Sequence, residues 1–94
     1  MPLNLAKSLV IKDGVLIQEL SSESVLLDVD SEQYFGLDDV GTQMLMTLKQ
    51  SPSIQVAFDR LLTQYEVDPE QLKQDLLSFI EQLVQHDLVE LTEA

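Results

Sequence analysis

Ninety-four residues confine the chain to one domain, because chains divide only when a single core outgrows a few hundred residues. Apolar residues make up 45%, enough for a core, while seventeen acids against five bases leave a formal net charge of −12 that repels a phosphate backbone and excludes nucleic acid as a partner. The absence of cysteine removes disulfides, thiolate metal sites, iron–sulfur clusters and cysteine nucleophiles, and suits a reducing cytoplasm.

The opening MPLNLAKSLVIKDG has only short apolar runs broken by Lys7 and Asp13-Gly14, too interrupted for a secretory core or a membrane span. A soluble, cytoplasmic protein is expected. Leu9-Val10-Ile11, Val15-Leu16-Ile17, Val25-Leu26-Leu27 and Tyr34-Phe35 are β-branched or aromatic runs between polar turns, which predicts a meander of three or four strands. Asp13-Gly14 is a tight-hairpin signal between the first two runs, since primed turns need positive φ. Ser21-Ser22-Glu23 and Asp30-Ser31-Glu32 lack glycine and read as longer polar loops. The register before residue 20 is left open by these signals.

From Asp38 the apolar period changes from two to about 3.6, and three helices are indicated. The first takes Asp38 as its cap and ends near Gln50, before Ser51-Pro52. The second takes Ser53 as cap and buries Ile54, Ala57, Phe58, Leu61 and Leu62. Asp68, Pro69 and Gln71 open the third as cap, first helical residue and capping-box partner, and it runs to about His86. Along it Asp75, Phe79, Gln82 and His86 stack on one edge of the apolar face. Leu88-Val89-Glu90-Leu91 is either a last strand or a cover on the core. The expected fold is one α+β unit of the winged helix-turn-helix kind over residues 1–94, with its core at about 9–91: a three-stranded antiparallel sheet followed by three helices.

Little in the chain supports catalysis, which needs a nucleophile and an oriented base in a sheltered cleft. His86 is the only histidine and stands at a helix end, where the dipole explains it. Asp28, Asp30 and Glu32 have the spacing that opens a calcium loop, but the sixth position is Gln33 instead of glycine, so no metal is expected. The three glycines stand apart, which removes a phosphate cradle, and no cofactor is expected. A DNA-reading helix-turn-helix fails on charge, with only Arg60 and Lys73 between residues 53 and 87 against seven acids. A carrier protein needs an Asp-Ser-Leu-like attachment motif, and Ser53 and Ser78 lack that context.

The segment VLLDVDSEQYFGLDDVGTQML, together with DPEQLKQDLLSFIEQLVQHDLVE, resembles the PqqD-like family. Its pattern of an LLD strand, a YFGL strand, a capped helix with glycine, and a late D…F…L…GL helix falls at Leu26-Leu27-Asp28, Tyr34-Phe35-Gly36-Leu37, Asp38 with Gly41, and Asp75, Phe79, Leu83 and Leu88. The resemblance runs from about Val15 to Leu91. Two positions depart from it: the usual glycine before the last leucine is Asp87, and the tryptophan often found in the first helix is replaced near Leu45.

The resemblance implies a non-catalytic adaptor that binds the leader of a ribosomally made precursor peptide and brings it to a separate enzyme. In lasso-peptide systems, whose stand-alone proteins share the YFGL strand, that enzyme is a leader peptidase. The binding mode expected is strand addition, with Tyr34, Phe35 and Gly36 as the receiving edge and Leu72, Asp75, Leu76 and Phe79 as the helical wall. Leu27 and Val29 are expected to floor a pocket for an apolar leader side chain. The alternatives are that Tyr34, Phe35 and Phe79 are core residues and Asp75 a solvated acid, or that the domain is an interaction module that dimerises or binds a partner through the same edge.

Overall fold

The structure, a computed structural model, describes residues 5–93. Three strands, β2 (Val15–Leu20), β3 (Glu23–Asp28) and β4 (Gln33–Leu37), form an antiparallel meander in the order β2-β3-β4. Three helices follow: α1 (Asp39–Gln50), α2 (Ile54–Gln64) and α3 (Pro69–Gln85). β1 (Lys7–Ile11) and β5 (Val89–Glu93) pair antiparallel in a separate two-stranded sheet, so the apolar tail is a strand. The fold is therefore α+β, a three-stranded sheet followed by three helices, plus a ladder that ties the ends of the chain.

Period-two alternation gives the larger sheet an inner and an outer face. Ser24 and Leu26 are buried, as is Leu37, whereas Leu16, Leu20 and Tyr34 are exposed. Leu26 opposes Phe35 and Ser24 opposes Leu37 on the inner face; Leu27 opposes both Leu16 and Tyr34 on the outer one. The inner face meets Leu45, Leu48, Ile54, Leu61, Leu76, Ile80 and Leu83 in one core. Within it the Ser24 and Thr42 hydroxyls bond to each other at 2.8 Å, linking β3 to α1 without leaving a polar group unpaired.

Helix starts agree with the capping residues in two cases and part from them in the third. Asp38 Oδ1 accepts from the Gly41 N–H at 2.8 Å, and Ser53 Oγ accepts from the Val56 N–H at 3.2 Å. Asp68 occupies the cap position of α3, but its side chain accepts no cap hydrogen bond, and Gln71 turns forward to donate to Asp75 Oδ1 at 2.9 Å. No capping box forms there. Pro69 supplies the start instead, because its fixed φ suits the first turn and it has no N–H to satisfy.

Two turn expectations are corrected. Asp13-Gly14 does turn the chain, with Gly14 at φ 87°, but it does not make a β1–β2 hairpin. β1 takes β5 as its partner over five residue pairs, Lys12 N–H donates to Leu88 O at 3.1 Å, and Val29 N–H donates to Gly14 O at 2.9 Å. The turn is a corner between sheets, because the C-terminal strand satisfies the ladder that β2 would have used. Between β2 and β3, Leu20 pairs with Glu23, so the loop is only Ser21-Ser22, with Ser21 at φ 65° in place of a glycine. The Asp30-Ser31-Glu32 connection is the longer loop expected, running from Val29 to Glu32 with Asp28 Oδ1 accepting from Asp30 N–H.

Asp87 likewise adopts the left-handed conformation, at φ 61°. Leu88 N–H reaches Leu83 O and Asp87 N–H reaches Val84 O, each at 3.0 Å, the double closure of a Schellman cap. The absence of glycine therefore does not displace the tail. Asp87 also accepts from Lys12 Nζ, and this hydrogen bond with its charge holds the ammonium above the ordinary lysine range.

Asp87→Gly should raise stability by about 0.5 kcal/mol in concentrated salt, where the exposed Lys12 contact is screened and the left-handed strain alone counts. Asp87→Ala, strained and unpaired, should lower it; urea midpoints at unchanged slope provide the measurement. Ser24→Ala should cost about 1–3 kcal/mol by stranding the Thr42 hydroxyl, and the double variant with Thr42→Val should cost less than the sum of the two single changes.

Candidate functional site

A strand has two rows of main-chain N–H and C=O groups, and the ladder with β3 uses one row of β4. Among the described residues β4 has no second strand beside it, so its far row lies open along Gln33–Leu37. A Cβ added at Gly36 would meet no atom within 4 Å, so nothing inside the chain requires glycine there and the approach to the backbone is clear. β4 is thus competent to receive an extended peptide.

Helix α3 meets β4 at its C-terminal end. Its first turns stand beside α1, where Val40, Met44, Tyr65, Val67, Leu72 and Asp75 line a largely apolar groove of about 150 Å³. The Gln71 amide holds the Asp75 carboxylate at that rim. At the other end His86 packs on Phe35, ring centroids 4.8 Å apart and planes tilted by 54°, beside a shallow depression shared with Asp28, Gln33 and Leu88. Phe79, half-buried against the core, lies on the helix between these ends.

The residues singled out from sequence fall into two groups. Phe35 and Phe79 are half-buried on the inner side, Leu72 is buried at the groove wall, and Asp75 is exposed at its rim. Leu76 is 1% exposed and belongs to the core, so it supports the wall from beneath and presents no surface. Tyr34, 76% exposed, lies with Leu27, Val29 and Gly36 on the outer side by strand alternation. Leu27 thus lies between Leu16 and Tyr34 on that outer face. A strand added to β4 has side chains on both faces, and would meet Phe35 and α3 with one set and Tyr34 with the other.

Val40, Tyr65 and Val67 line the groove without having been singled out for it. Their signal was weak but present: Tyr65 and Val67 are aromatic or apolar residues in a short connection, and Val40 precedes Met44 and Leu48 at helical spacing in the first turn of α1. Val40 and Val67 remain 44% and 46% exposed. Among the described residues no group of histidine, cysteine or carboxylates is arranged to hold a metal ion, and no helix is long and apolar enough to cross a membrane.

The electrostatics are one-sided. No lysine or arginine occurs between residues 13 and 48, which include the whole three-stranded sheet, while Glu23, Asp30, Glu32 and Asp38 are exposed around it.

The family model described as coenzyme PQQ synthesis protein D (PqqD) matches residues 23–89, the stretch from the start of β3 to the start of β5. The solved structure of TbiB1 in complex with the TbiA(beta) leader peptide is 31% identical over 86% of this chain and 94% of that one, with a TM-score of 0.81. Lasso peptide synthetase B1 complexed with the leader peptide shares the fold at 20% identity, covering 88% of this chain and 98% of that one, with a TM-score of 0.76. No curated protein matches the chain.

Proposed function

Since the chain belongs to the PqqD family, whose members are generally non-catalytic binding domains, we propose that it binds the leader segment of a ribosomally synthesised precursor peptide by strand addition to β4. It then hands the precursor to a modifying enzyme or leader peptidase. The observation that carries this reading is the open main-chain row of β4, on whose Phe35 the His86 end of α3 packs. The TbiB1 structure, solved with a leader peptide and similar over most of both chains, supports it.

Main-chain hydrogen bonds supply register and much of the affinity, and side chains supply selection. On the inner side the leader's alternate residues face Phe35, Phe79 and the groove walled by Leu72, where an apolar or aromatic side chain removes surface from water. Asp75 at the rim accepts a hydrogen bond or pairs with a leader cation. On the outer side Tyr34 covers the peptide with a large ring that loses few rotamers on binding.

Titration of the purified chain with leader peptides encoded in its gene neighbourhood tests the reading directly, and no saturable binding would remove it. Single N-methylation along a binding leader should weaken it at every second residue, because only alternate N–H groups of an added strand point at β4. A loss confined to one residue, or without period two, contradicts strand addition. Tyr34→Ala should weaken binding by about 1–3 kcal/mol with an unchanged cooperative melt, as an exposed aromatic anchor requires. Affinity for a lysine- or arginine-bearing leader should fall several-fold as salt is raised from ~0.05 to ~0.5 M.

A further inference from the structure

Of the large apolar residues exposed among the described residues, Leu16, Leu20, Val29 and Tyr34 share one surface, the outer face of the three-stranded sheet. Half-buried Val25 and Leu27 lie between them on β3, neither packs on the core, and Gln18 separates Leu16 from Leu20 on β2. Leu16, Leu27 and Tyr34 stand directly opposite one another across three strands, an unbroken apolar row. Isolated exposed apolar side chains are ordinary, but a contiguous set on a rigid sheet marks a contact surface. The helices and the β1–β5 ladder cover none of it, and the groove beside α3 lies on the other side.

We propose that this outer face docks a second protein, one that presents apolar side chains within a ring of lysine or arginine, while the β4 edge stays free for peptide. Charge selects the occupant. The sheet and its loops hold acids and no lysine or arginine, with Glu23 at one end of the apolar surface and Asp30 and Glu32 at the other. Two copies of a chain of net charge −12 meeting through this face would bring like-charged rims together, which opposes a homodimer. Anionic lipid headgroups are repelled for the same reason. A basic rim on a different protein gains from each of these acids, and the apolar row supplies the desolvated centre that carries most of the affinity.

The inference rests on the proposed delivery to an enzyme but not on leader binding itself, since the face is complete without a peptide. The probe is the purified enzyme encoded beside this chain's gene, titrated against wild-type chain and Leu16→Ser/Leu20→Ser, both substitutions lying on β2, away from the β4 edge and α3. The wild-type chain should bind, more weakly at high salt, and the double variant should lose about tenfold or more in affinity. Circular dichroism melts of both chains confirm that the variant is folded. Equal binding by the two chains, no binding by the wild type, or sedimentation of the wild type as a dimer that the variant abolishes would each overturn the proposal. A leader titration on both chains separates the readings: leader affinity is unchanged in the variant if both hold, and absent from both chains if only the docking face is real.

Discussion

Each β-strand must place two rows of main-chain groups, and this chain satisfies only one of those belonging to β4. The register that pairs Leu26 with Phe35 buries the inner side of β3 and β4, and the same register leaves the far row of β4 open. The proposed peptide site follows from where that row lies, with Phe35 and the His86 end of α3 on one face of the strand and Tyr34 on the other. An open edge is ordinarily an aggregation hazard. Here it is only five residues long and sits in the part of the molecule that has acids and no lysine or arginine, so repulsion between copies guards it.

The second consequence of strand alternation is division of labour. Phe35 and Tyr34 are adjacent in sequence but look in opposite directions, one toward His86 and the core, the other into solvent. A peptide on β4 would therefore be read from both sides at once. The rigid parts behind it are well secured: the Ser24–Thr42 hydroxyl pair joins sheet to helix, and the β1–β5 ladder closes the two ends of the chain on each other. For a domain of this size, where burial is limited, such a closure helps to offset the entropy of ordering both ends.

The helices were legible because their signals are local. Asp38 and Ser53 cap where their types predict, and the 3.6 period places Ile54, Leu61, Leu72, Ile80 and Leu83 in the core. Resemblance added the β4 edge and the α3 wall as expectations; the structure leaves the far row of β4 open and the ring of Tyr34 exposed. The turns were read less well. Ser21 and Asp87 take left-handed backbone that glycine would adopt more easily, because the ladder on one side and the Schellman bonds on the other leave no alternative. Leu76 looked like a groove residue and is core, since a helical periodicity cannot say which part of an apolar stripe meets a neighbour and which meets water.

By itself the amino-acid sequence determined the order of strands and helices, the apolar faces, the acidity and the absence of thiol chemistry, all properties carried by residue type and short-range spacing. Tertiary structure alone decided that β1 pairs with β5 across the length of the chain, that Asp13-Gly14 is a corner between sheets, and that Leu27 and Tyr34 share the exposed face of the sheet. Those choices depend on which distant segment is available to complete a ladder, and on which side of a sheet the helices settle. Neither is encoded in any local stretch of residues.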